Sequence, residues 1–208
     1  MPMSSDREYR RIAIEAIETR DADAGQMMVE GYATTFGQRY ELYRSVDYAL
    51  DEEIDAGAFA GCDMSDVIMQ YDHEGRVLAR TRNGTLVVTV DSRGLFIRAR
   101  LEGTELGRQL YQEIKGGYTD RMSFGFVVGK DERTVEEDHE TGFVTVHRKI
   151  TKLTKLYDVS AVSIPANDTT EISARSLSDG VIAQIKAERL AAEQRARTVA
   201  IIRLMTEV

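Results

Sequence analysis

The sequence predicts a mainly β fold with helices, of the α+β class, that is followed by a helical tail. Short runs rich in β-branched and aromatic residues alternate with glycine, asparagine and aspartate along most of the chain, which is typical of strands joined by turns. One strong helix signal lies between residues 104 and 117. After Ala174 the composition changes to alanine, glutamate, glutamine and arginine, which favour helix. We therefore expect one domain over residues 1–174 and a helical tail over residues 175–208.

The composition excludes several functional classes. The chain has 208 residues, of which 42% are hydrophobic and 30% are charged, as in an ordinary globular domain. Its net charge of −8 argues against binding to nucleic acid, because that binding depends on lysine and arginine. The longest apolar runs are far shorter than the roughly 20 residues that cross a bilayer, and the N-terminus lacks the pattern of a secretory signal. We therefore expect no membrane partner and synthesis in the cytoplasm.

Metal and cofactor sites are not predicted. The single cysteine, Cys62, has no partner for a disulfide or a thiolate metal site, and we interpret it as a small, half-buried residue. Asp72, His73 and Glu74 are adjacent rather than spaced to converge on one ion, and no His-Glu-x-x-His motif or glycine-rich phosphate loop is present.

Turn residues divide the β pattern into segments. A first strand is predicted within residues 9–19, where Ile12 and Ile14 alternate with polar residues. Residues 37–66 are interpreted as loop and short helix, because glycines and the acidic run of residues 51–53 interrupt the pattern. Residues 130–141 are a charged excursion between two β segments. The remaining predicted β segments are residues 29–36, 67–71, 85–90, 94–101, 121–128 and 143–164.

The predicted helix of the domain has clear boundaries. Thr104 is a good N-cap, and Leu106, Leu110 and Ile114 recur every four residues on one face. The pair Gly116 and Gly117 is expected to end the helix.

A second helix is predicted in the tail. Ser178 and Asp179 can cap a helix that runs to Met205, but Arg189 and Glu193 interrupt its apolar stripe. A weakly amphipathic helix gains little stability by itself. We expect the tail to be dispensable for the domain, and to target the protein or to be trimmed from it.

The three histidines differ in their sequence context. His139 lies within the charged run of residues 136–140, which is typical of a solvated loop. His147 alternates with valines along a predicted strand, which favours a partly exposed strand position. His73 follows an apolar strand, at an edge where rigid scaffolds often present catalytic side chains. By spacing alone, a structural role for His73 is as plausible as a catalytic one.

Ser123 is the candidate nucleophile. It lies in a strand-like segment and is followed by Gly125, which often marks a bulge or the close approach of another backbone, such as a substrate strand. The chain lacks the Gly-x-Ser-x-Gly elbow of the α/β-hydrolases. The residues therefore permit a Ser/His site for acyl transfer without requiring one.

An ordered series of motifs resembles the HK97-type phage prohead serine protease family. The resemblance covers roughly residues 9–174, and its most specific parts are Met-Ser-Phe-Gly-Phe at 122–126 and the Val-Ser-x-Val-x-x-Pro-Ala-Asn run at 159–167. The other motifs, in order, are Val-Glu-Gly-Tyr-Ala at 29–33 with Phe36, Gly-Ala-Phe at 57–59, Asp-His at 72–73, Gly-Leu-Phe at 94–96, Gly-Gly-Tyr at 116–118 and Leu-Tyr-Asp at 156–158.

The resemblance implies roles for individual residues. The family's serine corresponds to Ser123 and its histidine to His73, which implies a nucleophile and a general base. The position of a frequent family glutamate corresponds to Asp158, which is our prediction for the group that orients His73, with His147 as the competitor because assemblin-like enzymes use a second histidine. The family often has aspartate where this chain has Glu74. For the oxyanion we expect backbone amides near Ser123 or an arginine, namely Arg121 or Arg148.

The resemblance also implies a fold and a function. The expected fold is a compact β-barrel edged by helices, like that of the herpesvirus assemblins. The implied activity is that of a serine endopeptidase that cleaves the major capsid protein and its scaffold segment, and itself, inside the immature phage head in the host cytoplasm. The same comparison allows a homo-oligomer and implies no cofactor.

Two other functions agree with the residues. A non-enzymatic head-assembly or scaffold protein with the same fold would use its C-terminal helix to bind a coat protein, but it would have no need for both His73 and Ser123. A small-molecule esterase would use the same dyad. Sparse aromatic residues, 7% with no tryptophan, favour an extended groove for a peptide over a deep apolar pocket.

Overall fold

The structure is a computed structural model, and it describes residues 7–12, 18–22, 26–138, 140–162 and 194–195. These residues form eleven strands, one α-helix and a 3-10 turn over Thr81–Asn83. The strands are β1 (Arg7–Ile12), β2 (Glu18–Ala22), β3 (Gln26–Thr35), β4 (Tyr40–Arg44), β5 (Tyr48–Ile54), β6 (Ile68–Tyr71), β7 (Glu74–Arg80), β8 (Leu86–Val90), β9 (Gly94–Arg100), β10 (Arg121–Glu137) and β11 (Val144–Val162). The helix is α1 (Glu105–Lys115).

The strands form two sheets. The larger has seven strands in the order β1-β10-β11-β5-β4, with β6 paired to β11 and β7 paired to β6. The smaller has four strands in the order β2-β3-β9-β8. The mainly β class is confirmed, but the predicted closed barrel is wrong for the described residues. Closure would require the outer strands of a sheet to pair with each other, whereas β1 and β4 end the larger sheet.

A long antiparallel hairpin of β10 and β11 organises the larger sheet. One end of β11 pairs in parallel with β5, and the other end pairs in parallel with β6. The charged excursion predicted at residues 130–141 is largely strand, since β10 continues to Glu137. A buried arginine on β11, Arg148, donates to Asp131 at 2.5 Å and joins this charged part of β10 to the sheet.

Several strands differ from the sequence prediction. The strand predicted within residues 9–19 corresponds to β1, which begins at Arg7, and to the start of β2, which continues to Ala22. Residues 40–44 and 48–54 were predicted as loop and short helix, but they form β4 and β5. Leu50 and Ile54 are buried there, and the parallel pairing with β11 outweighs the acidic run around them. β7 was not predicted, because its first four residues are exposed and a glycine and three charged residues interrupt its apolar pattern.

The predicted helix of the domain is confirmed. The Thr104 side chain accepts from the backbone N–H of Gly107 at 2.9 Å, and α1 ends at Lys115, just before the two glycines. Leu110 and Ile114 are buried, but the prediction for Leu106 is wrong, because 46% of its surface is exposed. None of the helices among the described residues is long and apolar enough to cross a membrane.

The core combines both sheets and α1. It includes Ile97 from the smaller sheet, Phe124 and Leu156 from the larger sheet, and Leu110 from the helix. Along β10, Met122 and Phe124 face this core, so Ser123 between them faces the opposite side of the sheet.

The chain divides into two units, Met1–Asn167 and Asp168–Val208. Nearly all of the predicted tail helix, including its proposed cap, lies outside the described residues, of which only Gln194 and Arg195 fall in the tail. The domain boundary after residue 174 and the role of the tail stay predictions.

Candidate active site

Ser123 lies in the centre of the larger sheet. Its Cα is opposite Ser160 of β11 on one side and Arg11 of β1 on the other. Although it faces away from the core, Ser123 has no exposed surface. Its hydroxyl lies 2.7 Å from the backbone carbonyl of Arg10.

His73 lies in the tight turn that joins β6 to β7. Asp72 and His73 have φ angles of 47° and 61°, in the left-handed region that residues other than glycine rarely adopt. The Asp72 N–H donates to the carbonyl of Ala161 at 3.0 Å, which ties the turn to β11. Unusual backbone geometry of this kind is often found at functional sites, where the surrounding structure holds it in place.

The structure brings Ser123, His73 and Asp158 together. His73 Nε2 lies 2.5 Å from Ser123 Oγ, and His73 Nδ1 is hydrogen-bonded to Asp158 Oδ2. The side chain of His73 is 6% exposed and that of Asp158 is fully buried. A histidine between a hydroxyl and a carboxylate is the arrangement that activates a serine for acyl transfer.

Two further residues hold the carboxylate of Asp158. Ser160 donates its hydroxyl to Asp158 Oδ2 at 3.0 Å, and Arg7 is bonded to Oδ1. Burial alone would raise the pKa of the Asp158 carboxyl, but the hydrogen bond with His73 and the charges of His73 and Arg7 outweigh burial and lower this pKa. The aspartate is therefore ionised at neutral pH.

Sequence reasoning missed both supporting residues. Ser160 has a local signal, because it follows Asp158 by two positions and so lies on the same face of the strand. Arg7 has none, because 151 residues separate it from Asp158.

Gly125 is the position where the site is most crowded. It is opposite Asp158 in the ladder, and a Cβ at this position would overlap Asp158 Oδ1 and lie 2.9 Å from Tyr9 Cε1. Of the two features that the sequence suggested here, the structure has the bulge, because the register of β10 on β11 shifts between Gly125 and Phe126. On the other side of β10, Gly125 is paired with Tyr9 of β1. The ring of Tyr9 also packs edge-on against His73, with 4.4 Å between centroids.

His147 lies in a different environment. Its Nδ1 lies 2.5 Å from Asp51 Oδ1, and its Nε2 lies 3.2 Å from Glu136 Oε2. Partial burial works to lower the pKa of His147, but the hydrogen bond to Asp51 and the nearby carboxylate of Glu136 raise it. The group on His73 Nδ1 is therefore Asp158 and not His147. His139 lies outside the described residues.

The two arginines considered for the oxyanion differ in availability. Arg148 is bonded to Asp131, Glu8 and Glu52, so its guanidinium is fully engaged away from Ser123. Arg121 is half exposed, and its Nε lies 3.8 Å from Asp120 Oδ1.

A buried ion network lies beside the site. Arg10 donates to Glu52 from Nε at 2.5 Å and from a terminal nitrogen at 2.8 Å. Glu52 also accepts from Arg148 at 2.9 Å and from Tyr40 at 2.5 Å. Glu52 has no exposed surface, and Arg10 and Arg148 are nearly buried. This network joins β1 to β4, β5 and β11 and was not predicted from the sequence.

The remaining candidate groups are not arranged for catalysis. Burial raises the pKa of the Cys62 thiol to about 11, so the thiol is protonated at neutral pH. Among the described residues, no three histidine, cysteine, aspartate or glutamate side chains are grouped so that they could hold a metal ion.

Comparison with known proteins identifies a family and a similar solved structure. The family model described as caudovirus prohead serine protease matches residues 15–181, so β1 precedes the matched residues. The bacteriophage T4 capsid assembly protease, gp21, is similar with a TM-score of 0.39 and 12% sequence identity, over 77% of this chain and 98% of that chain. No curated protein matches. Because the family model spans most of the chain, the resemblance noted in the sequence is confirmed, and the chain belongs to the caudovirus prohead serine protease family.

Proposed function

We propose that the protein is a serine endopeptidase that cleaves the major capsid protein, its scaffold segment and itself inside the prohead. Ser123 is the nucleophile, His73 the general base and Asp158 the residue that orients His73. The observation that carries this proposal is the chain of hydrogen bonds from Ser123 Oγ through both nitrogens of His73 to Asp158.

Ser123 requires a base because a serine hydroxyl is a weak nucleophile. During attack, His73 Nε2 takes the hydroxyl proton as Oγ bonds to the scissile carbonyl carbon, and the imidazolium then returns the proton to the leaving amine. Water then attacks the carbonyl carbon of the acyl-enzyme, with His73 again taking a proton as the base. The second product leaves and Ser123 regains its proton from His73.

Asp158 has two functions in this scheme. Its bond to Nδ1 fixes the tautomer in which Nε2 is the base, and its charge stabilises the imidazolium that forms during attack. Ser160 and Arg7 hold the carboxylate in place and keep it ionised. The site therefore needs no metal ion or cofactor to activate the serine.

A non-enzymatic assembly protein is less well supported than a protease. Such a protein would not need the left-handed backbone of Asp72 and His73, nor a glycine that leaves room for the carboxylate of Asp158. The left-handed backbone is strained at residues other than glycine, and a glycine inside a strand weakens it. Both features allow the triad residues to reach each other.

Co-expression with the cognate coat protein that carries its scaffold segment tests this function. Mass spectrometry of the new termini should detect cleavage with the wild-type chain, and Ser123→Ala should reduce the rate by at least about 10⁴-fold. Ser65→Ala, at an exposed serine, is the matched control and should process normally. Processing by a folded Ser123→Ala protein at the wild-type rate would exclude Ser123 as the nucleophile.

A further inference from the structure

The nucleophile is inaccessible in this structure. An endopeptidase must bring the scissile carbonyl within about 3–3.5 Å of the attacking oxygen. Ser123 has no exposed surface, and the side chain of His73 is 6% exposed. A substrate carbonyl can therefore reach Ser123 only after a neighbouring segment moves.

β1 contacts every member of the triad. The carbonyl of Arg10 lies 2.7 Å from Ser123 Oγ, the ring of Tyr9 packs on His73, and Arg7 is bonded to Asp158. These contacts come from three residues of one short strand.

The carbonyl of Arg10 also competes for the proton of Ser123. A hydroxyl has one hydrogen to donate. In the reactive arrangement it points to His73 Nε2, 2.5 Å away, whereas donation to Arg10 directs it away from the base. β1 therefore offers the serine an alternative acceptor, in addition to contacting the other two members of the triad.

The position of β1 is that of an added peptide strand. β1 is extended, pairs antiparallel with β10 from Arg7↔Val127 to Ile12↔Met122, and forms the outer edge of the larger sheet. Enzymes and binding domains commonly take up an extended peptide in this way, through main-chain bonds to a strand edge. β1 also precedes the residues that match the family model.

We propose that β1 occupies the peptide-binding edge of β10, and that an extended peptide segment of the substrate takes its place when β1 is released. This inference rests on the proposed function of Ser123. It makes the described state a latent one, in which the N-terminal strand is an internal competitor of the substrate.

The Arg10 and Glu52 pair is the latch of this arrangement. Arg10 is the buried residue among the four described side chains of β1, and its two bonds to Glu52 tie the strand to β5. Loss of the Arg10 side chain removes both bonds between β1 and Glu52, while Arg148 and Tyr40 still bind Glu52, so it should favour release of β1.

The reaction of Ser123 with a fluorophosphonate probe measures this release in the full-length protein. Peptide mapping by mass spectrometry gives the rate at Ser123. Arg10→Ala should react at least about tenfold faster than wild type, because the open population rises. Arg98→Ala is the matched control. Arg98 also joins a strand to a buried glutamate, Glu30, but it lies in the smaller sheet, and its loss should leave the rate unchanged within about twofold.

A disulfide that can be formed and reduced, here called the lock, tests the same inference while the Arg10 and Glu52 pair is kept. Arg7 and Val127 are Cα partners in the ladder, so Arg7→Cys with Val127→Cys, in a Cys62→Ser background, should form a disulfide between β1 and β10. We expect Ser123 to react at least about tenfold more slowly in the oxidised protein than in the same protein after reduction.

The outcomes separate the two proposals. Equal rates in the oxidised and reduced lock, with Ser123 reacting readily in both, would show that β1 does not block access to the nucleophile. This result would overturn the inference about β1 and leave the proposed function intact. If Ser123 fails to react in every folded variant, including Arg10→Ala and the reduced lock, the nucleophile assignment is wrong, and the inference is overturned with it.

Discussion

The carboxylate of Asp158 occupies the space that a side chain at Gly125 would need. The two residues are opposite each other in the β10–β11 ladder, and Asp158 is held there by His73, Ser160 and Arg7. Glycine in the interior of a strand normally weakens the strand. At this position it allows a buried carboxylate to reach the imidazole.

Gly125→Ala should therefore disable the site. The added methyl group would displace Asp158 or Tyr9, and overpacking of this kind costs about 1–3 kcal/mol in the free energy of unfolding. We expect cleavage of a peptide substrate to fall by at least about 100-fold, because small misplacements of catalytic groups have effects of that size. Gly129→Ala on the same strand is the control, since its methyl group would overlap only the side chain of the exposed Thr154, and activity within a few-fold of wild type is expected. Equal effects of the two substitutions on activity would contradict this role of Gly125.

Asp158→Asn tests the orienting residue. An amide cannot stabilise the imidazolium and can favour the wrong tautomer of His73, so we expect a loss of about 10³–10⁴-fold in kcat with the fold retained. Circular dichroism and peptide cleavage measure the two effects. A folded Asp158→Asn protein within a few-fold of wild type would mean that Asp158 does not orient His73.

Ser160→Ala tests the support of that carboxylate. The substitution removes one hydrogen bond to Asp158 while His73 and Arg7 remain, so a smaller loss of about 10-fold in kcat is expected, with KM unchanged. Ser160→Thr retains the hydroxyl and should recover part of the activity. If KM rises and kcat is unchanged, Ser160 acts on substrate binding instead of on Asp158.

The sequence indicated the local elements of the site well. Met122 and Phe124 flank Ser123 in an alternating strand, and the apolar run before His73 ends as a strand. Such patterns extend over a few residues and depend on the period of the strand. The choice of Asp158 over His147 rested on its position between apolar strand residues and on the family resemblance, because no periodicity relates either residue to His73.

Long-range pairing accounts for what the sequence could not indicate. Arg10 and Glu52 are 42 residues apart, and Arg148 and Glu8 are 140 residues apart. β5 was missed because its acidic residues pair with basic partners on β11, such as Lys149 with Glu53. The contacts of β1 with Ser123, His73 and Asp158 are likewise tertiary, and nothing in residues 7–12 alone indicates them.

His147 should affect stability and leave catalysis nearly unchanged. Its pKa is raised in the folded state, so its bonds to Asp51 and Glu136 stabilise the fold below pH 6.5, and this contribution is lost as the pH rises through the folded value. His147→Gln should lower the free energy of unfolding by up to about 1 kcal/mol at pH 6 and have little effect at pH 9, as measured by urea titration. Asp51→Asn should give the same pattern. A loss of activity by orders of magnitude in folded His147→Gln would instead assign His147 to the catalytic site.

Glu8 should make the fold sensitive to acid. Burial works to raise the pKa of Glu8, but the bonds and charges of Arg148 and Arg10 lower this pKa from 4.5 to about 2. A carboxylate with a lowered folded pKa stabilises the protein above its unfolded pKa, and the contribution is lost as the pH falls from about 4.5 to about 2. Glu8→Gln should therefore lower the free energy of unfolding at pH 7 by about 1–3 kcal/mol and flatten its decline below pH 4.5.

Glu132→Gln, at an exposed partner of Lys130, is the control and should follow the wild-type curve. Urea titrations at pH 7, 4.5 and 3 measure both effects, and a Glu8→Gln protein that keeps the wild-type dependence on pH would show that Glu8 is not paired in the fold as the structure has it.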